Sequence, residues 1–289
     1  MMRMHEFLND QGDDAIIVRI LDARGSTPRE VGATMAVATD SICGTIGGGR
    51  LEWEAMEVAR GMLAKGVGPR DLTVFERALG PQLNQCCGGR VRLQLRRANE
   101  RDRKLAKERF ADDWVTQPPV LVFGAGHVGQ ALARAFAPLP LRTTFVDERV
   151  DAVRALPEGT DWELTSIPES VVRDAGAGTC FVILTHSHAT DFLVAEAALQ
   201  RGDAAYVGMI GSATKRAKFL AQARRHGLGE DKTERLICPM APHARRDKRP
   251  EVIAAFVAAE VLGAALRSRG AGAVIDRPLA AHRPGPVRA

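Results

Sequence analysis

The sequence predicts an α/β protein in two parts: a smaller N-terminal α+β domain, then a Rossmann-like doubly wound parallel-sheet domain. Two observations carry the second part. From Val120 onward short apolar runs alternate with helical segments, and the first of those runs ends in a glycine-rich turn that opens a helix. A third observation sets the first part off: before Ala98 the chain mixes short strands, two glycine loops and a single amphipathic helix.

In the first domain (1–98), Ala15 to Leu21 reads as a buried strand, the loop RGSTPREVG follows, and Ala33 to Thr39 is a second strand. The turn Cys43-Gly44-Thr45-Ile46-Gly47-Gly48-Gly49 feeds a helix whose Leu51, Ala55, Val58 and Met62 recur at helical spacing as a buried face. Leu72 to Arg77 is another strand candidate. After the loop holding Cys86-Cys87-Gly88-Gly89, the stretch RVRLQLRR alternates, with Val91, Leu93 and Leu95 on one face. Residues 99–117 are dense in charge and helix formers and read as a connecting helix and linker. The second domain (118–269) then lays down apolar strands at Val120–Phe123, Leu141–Val146, Phe181–Leu184, Ala205–Val207 and Leu236–Ile237, with helices between them. A closing helix starts near Pro250, a residue suited to a first turn. The tail, 270–289, is rich in Gly, Pro and Arg and is expected to be loosely ordered.

Composition narrows the function classes. The 289 residues are 45% apolar and 26% charged, a globular balance. No apolar run approaches the roughly 20 residues that cross a bilayer, and the N-terminus lacks a secretory apolar stretch. The five cysteines have neither disulfide-like nor zinc-like spacing, so they read as reduced thiols in a cytoplasmic protein. A net charge of +5 comes largely from Arg96–Arg109 and Arg267–Arg288, without interleaved aromatics. That argues against nucleic acid and leaves an anionic small ligand as the natural partner of the excess.

Four motifs carry the chemistry. Gly124-Ala125-Gly126-His127-Val128-Gly129 fits G-x-G-x-x-G between a strand and a helix. Its glycines allow the tight turn and let a helix N-terminus face a phosphate. Asp147, closing the next strand, stands where an acid would bind a ribose hydroxyl. The competing reading is a retained fold without dinucleotide binding. Thr185-His186-Ser187-His188-Ala189-Thr190-Asp191 lies at a strand's C-terminal end. Its H-x-H-x-x-D order is superficially similar to the metallo-hydrolase pattern H-x-H-x-D-H but lacks the closing histidine, so a polar loop at the site edge competes with a metal site. Cys86 and Cys87 sit in a polar, glycine-rich loop, where accessible thiolates would suit a soft metal or sulfur chemistry and two buried fillers are the alternative. The run Gly47-Gly48-Gly49 ahead of a helix offers bare amides as an anion nest, or simply a turn.

Taken in order, these strings resemble the XdhC/CoxI family of xanthine dehydrogenase accessory proteins. The resemblance runs from Ala15 to about Leu266. Its carriers are Gly25-Ser26-Thr27-Pro28-Arg29 with Gly32-Ala33, Gly44 to Gly49 with Leu51-Glu52, Gln85 to Gly89, GAGHVG, THSHATD, Tyr206 to Ser212 with Lys215-Arg216, and Cys238-Pro239. The resemblance implies a protein that binds the molybdenum cofactor, a molybdopterin, and helps load its terminal sulfur with a cysteine desulfurase. It implies delivery of the matured cofactor to the molybdenum subunit of xanthine dehydrogenase, in purine catabolism, by a chaperone rather than a turnover enzyme. Within that frame Gly47–Gly49 or Gly124, Gly126, His127 and Gly129 would hold the phosphate, with Asp147, His186 and His188 at the same edge. Cys86 or Cys87 would meet molybdenum, and Arg29 the phosphate or the desulfurase. A nucleotide at the Rossmann site is a further expected ligand, and a homodimer the expected assembly. The alternative function is an NAD(P)-dependent oxidoreductase using GAGHVG and Asp147, with His186 or His188 as acid/base. One departure stands out: after Cys238-Pro239 the family's usual aliphatic-glycine continuation is replaced by Met240-Ala241-Pro242-His243, which predicts a differently closed loop.

Overall fold

A computed structural model of the chain describes residues 3–68, 70–79 and 89–270. The chain divides into two compact units, Met1–Asp113 and Trp114–Ala289. The division falls inside the charged segment read as a linker, which forms helix. Cys86, Cys87 and the tail from 271 onward lie outside the described residues.

The first unit contains, in order, α1 (Met4–Gln11), β1 (Ile16–Arg24), β2 (Thr34–Val37), β3 (Ile42–Gly44), α2 (Gly49–Ala64), β4 (Leu72–Ala78), β5 (Arg90–Arg97) and α3 (Glu100–Thr116). Its sheet has the order β3-β2-β1-β5-β4, and every pairing is antiparallel. Period-two alternation along β1 explains the two layers. Ile16, Val18 and Ile20 join Val91, Leu93 and Leu95 under α2, whereas Ile17 packs with Phe7 and Leu8 of α1 on the opposite face. The buried face of α2 is Leu51, Ala55, Ala59 and Met62. Ala59 therefore takes the place expected for Val58, which packs at the rim of that core. Helix α1 and strand β3 were not anticipated. The first is short and mostly polar. The second is a three-residue edge strand inside a stretch that reads as a glycine turn.

The second unit contains β6 (Pro119–Phe123), α4 (His127–Phe136), β7 (Arg142–Asp147), α5 (Val150–Arg154), β8 (Asp161–Leu164), α6 (Pro168–Asp174), β9 (Cys180–Ile183), α7 (His188–Arg201), β10 (Tyr206–Met209), α8 (Ala213–Arg225), α9 (Glu230–Thr233), β11 (Leu236–Ile237) and α10 (Pro250–Gly270). Its sheet runs β11-β10-β9-β6-β7-β8, and all neighbours are parallel. Numbered within the unit this is the 3-2-1-4-5-6 order of the doubly wound dinucleotide fold. Helices on both faces bury the sheet, so its central strands are apolar throughout. Val120 and Val122 face α4 and α10, while Leu121 and Phe123 face α6, α7 and α8. Strand β8 escaped the sequence reading because Asp161-Trp162-Glu163-Leu164 is a half-exposed edge strand. Among the described residues no helix is long and apolar enough to cross a membrane.

Candidate functional site

The order of the parallel sheet reverses between β6 and β9, and a crevice forms outside their C-terminal ends, where such sheets bind ligands. The glycines of the β6–α4 turn have separate jobs. Gly124 adopts φ +119°, and a Cβ there would collide with the Leu184 carbonyl. A Cβ on Gly129 would collide with the carbonyl of Gly124, so this glycine lets the helix close on the strand. Gly126 is different: it is the N-cap of α4, it has open space beside it, and α4 receives no side-chain cap. Its nearest neighbour on the Cβ side is the Arg149 guanidinium, 4.0 Å away. His127 opens the helix and is exposed.

Asp147 does not offer the free acceptor that a ribose would require. One carboxylate oxygen accepts from the Ala125 amide at 2.8 Å and from Arg149 Nη2 at 2.8 Å. The other accepts from the Arg149 amide at 3.0 Å and Arg149 Nε at 2.9 Å. These four bonds fill the roughly four lone-pair positions of a carboxylate. Burial pushes the Asp147 carboxyl up, but the Arg149 side chain and the two amides outweigh it and hold the group below its ordinary value. Asp147 thus locks the glycine turn to Arg149, and it lines the crevice beside the more exposed Glu148. Glu148 Oε1 lies 3.3 Å from His186 Nε2, both side chains nearly half exposed. Glu148 and His186 line a cleft floored by Phe123 and Val146 and walled by Thr165, Pro168 and Thr185. The cleft therefore joins the ends of β6, β7, β8 and β9.

The THSHATD segment separates into two functions. His186 faces the cleft and His188 opens α7, while Ser187 caps that helix by accepting from the Thr190 amide. Asp191 turns inward and is fully buried. It accepts from the Thr185 amide at 2.9 Å and the Thr185 hydroxyl at 2.7 Å, and it pairs with Lys215. Lys215 Nζ also donates to the Ile210 carbonyl at 2.9 Å. The H-x-H-x-x-D order therefore builds no metal centre: its acid is spent on a buried ion pair. Among the described residues no group of three or more His, Cys, Asp or Glu could hold a metal ion. Sequence reasoning gave Asp191 and Lys215 no role. Their signal was an acid and a base each placed in the first turn of a helix that follows a strand end, on neighbouring strands of the parallel sheet. The Met240–His243 loop is closed by Glu260, which accepts from the Ala241 amide and from the Tyr206 hydroxyl, both at 2.9 Å.

In the first unit the loops read as sites converge. A Cβ on Gly47, which has φ +123°, would collide with Pro28 and lie 3.6 Å from Arg29 Cγ. One on Gly89 would collide with the carbonyls of Arg24 and Ser26. The RGSTPRE loop thus touches both the triple-glycine loop and Gly89, two residues past the cysteine pair. The amides of that glycine loop are not bare, however. Glu52 Oε2 accepts from the Ile46 amide at 3.1 Å, the Gly48 amide at 3.0 Å and the Thr45 hydroxyl at 2.7 Å. The Gly47 amide donates to Thr45 Oγ1. The nest already holds an anion, the chain's own carboxylate. Of the glycines proposed for it, Gly49 is exposed at the start of α2.

Comparison with known proteins places these features. Residues 8–74 match the XdhC and CoxI family, and residues 120–261 match the XdhC Rossmann domain. An uncharacterized Escherichia coli K12 protein, YqeB, is 26% identical over 94% of this chain, and the chain spans 47% of that relative's length. A crystal structure described as a xanthine dehydrogenase from Bacillus halodurans superposes with a TM-score of 0.70 at 16% identity. That likeness covers 93% of this chain and 97% of the other, and it is one of fold. With both family patterns matched in order, one over each unit's motifs, the chain belongs to the XdhC and CoxI family.

Proposed function

We propose that this protein binds the molybdenum cofactor as cargo, assists its sulfuration with a cysteine desulfurase, and helps insert it into xanthine dehydrogenase. The observation that carries the reading is the match of both family patterns, in order, over the units that hold the glycine loops. The geometry agrees with a carrier of a phosphate-bearing ligand: loop 24–29 meets Gly47 and Gly89 in the first unit, and an uncapped helix N-terminus faces a crevice in the second. Thiolates at Cys86 and Cys87 would suit a thiophilic molybdenum centre and its exchangeable sulfur. The role is that of an accessory factor without turnover chemistry of its own, acting as a cytoplasmic homodimer.

A second ligand is supported by the crevice itself. Its complete 3-2-1-4-5-6 sheet, its Gly126 turn and the Glu148–His186 edge suit a nucleotide. The alternative function, NAD(P)-dependent oxidation or reduction, rests on that same edge. One experiment separates them. The protein is purified from cells that make molybdenum cofactor, bound molybdenum and pterin are measured, and NAD(H) is titrated in parallel. Stoichiometric pterin and molybdenum, reduced when Cys86 and Cys87 are both changed to Ala, supports the carrier. Tight NAD(H) binding with no molybdenum overturns it.

A further inference from the structure

The first unit contains a second concavity, an open groove between α1, α3 and one face of the sheet. We propose that this groove is an anion site that takes the phosphate of a small phosphate-bearing ligand through Arg19, Arg29 and Arg109. If the carried ligand is the pterin, this assigns its phosphate to the groove rather than to the triple-glycine nest, which Glu52 fills.

The argument begins with the sheet. The face of β1 that buries Ile17 against α1 continues two residues on to Arg19, which lines the groove. Arg19 is paired in register with Thr34 on one side and Gln94 on the other, both neutral. It is only partly exposed, and among the described residues its guanidinium makes neither hydrogen bond nor ion pair. Its guanidinium reaches the Arg29–Gly32 loop, 3.9 Å from a Cβ position on Gly32. Helix α3 turns Asp102, Leu105, Ala106, Arg109 and Phe110 toward the same space, the i, i+3, i+4 spacing of one helical face.

Among the described residues five arginines line the groove against two acids, Glu30 and Asp102. Asp102 is consumed by Arg96, whose guanidinium grips both its oxygens. Glu30 is three-quarters exposed and reaches Arg29 only at 3.5 Å. Arg109, like Arg19, has no ion-pair partner among the described residues. For the part-buried Arg19 a guanidinium without an anion is costly unless a ligand supplies one, and Arg109 adds an exposed charge at the mouth. Arginine's planar donor fork suits phosphate oxygens. Apolar Val31 and Leu105 at the rim give room for the ligand's uncharged body.

The test uses the full chain, purified from cells that make no molybdenum cofactor, with inorganic pyrophosphate as the probe in calorimetry at low salt. The wild type should bind saturably. Arg19→Met and Arg109→Met should each weaken binding roughly tenfold, the value of a charge-assisted contact. Lys107→Met, which removes the same charge from a residue of α3 outside the groove, should change it by less than about twofold. Gly126→Asp, in the other unit, should leave this binding in place. Wild-type affinity in the two arginine variants, an equal loss in Lys107→Met, or loss of all binding in Gly126→Asp overturns the proposal. If Arg19→Met fails to fold, the exposed Arg109 still decides. Because the probe contains neither molybdenum nor pterin, a negative result here is distinct from failure of the carrier reading.

Discussion

Lys215→Met isolates the buried ion pair that ties the two ligand-edge loops together. Lysine and methionine have similar length, so the change removes charge and donors while keeping most of the packing. It leaves Asp191, with no exposed surface, holding a carboxylate with two donors from Thr185 and no counter-charge. It also strips the Ile210 carbonyl of the Nζ donor at 2.9 Å. Removing one partner of a buried pair typically costs about 3–5 kcal/mol. The two remaining Thr185 bonds and the first turn of α7 still favour the charge, which places the expected loss near ~3 kcal/mol. The assay is native-state hydrogen exchange read at the β9 and β10 amides, which reports the second unit independently of the first. Asp191→Leu combined with Lys215→Met should recover much of the loss, because two apolar groups replace two charges. A loss below about 1 kcal/mol for Lys215→Met would mean that water or a rearranged loop compensates Asp191. In that case the pair does not position the edge.

Three further outcomes follow from the same geometry. Gly129→Ala should destabilise the second unit, since its Cβ meets the Gly124 carbonyl, whereas Gly126→Ala should keep the fold and weaken ligand binding only; thermal melts with and without ligand separate the two. Asp147 is held below its ordinary value of 3.8 in the folded chain, so its contribution is present above that pH and lost as pH falls through the lower folded value. Asp147→Asn should therefore lower stability at pH 7 and flatten the acid limb below about pH 4, measured as melting temperature against pH. Burial raises the thiols of Cys43, Cys180 and Cys238, that of Cys180 to about 12. Brief iodoacetamide labelling of the native protein at pH 8 should spare all three, and peptide mapping that finds Cys180 alkylated would contradict the buried core.

How much of this was legible in the sequence depended on whether the deciding interactions are local. The second unit's order could be anticipated because its central apolar runs are buried on both faces, and Gly124 and Gly129 of GAGHVG each answer to a nearby backbone carbonyl. Strand β8 and helix α1 could not, since the first is held by pairing with β7 rather than by apolar character and the second buries only Phe7 and Leu8 fully. At the site, periodicity located Asp147 and the THSHATD loop. It could not say that Arg149 occupies the first or that Lys215, 24 residues along, claims Asp191. Those partners are fixed by tertiary approach, which single-sequence spacing does not contain.

The two glycine turns make the same point with a usable rule. Both precede helices, and both read as nests for an anion. In α2 the first turn carries Glu52, whose carboxylate folds back onto the amides of Ile46 and Gly48. In α4 the first turn carries no acid, and its N-cap Gly126 stays uncapped and open toward Arg149. A glycine turn announces available amides only when the helix it feeds lacks an acid within reach, because an internal carboxylate is at high local concentration and binds first. By that criterion α4 differs from α2: Asp147, from the neighbouring strand, takes the Ala125 amide, and the helix's own first turn supplies no acid. The first unit must find its counter-charge elsewhere, and Arg19 and Arg109 of its groove are where the chain has left it.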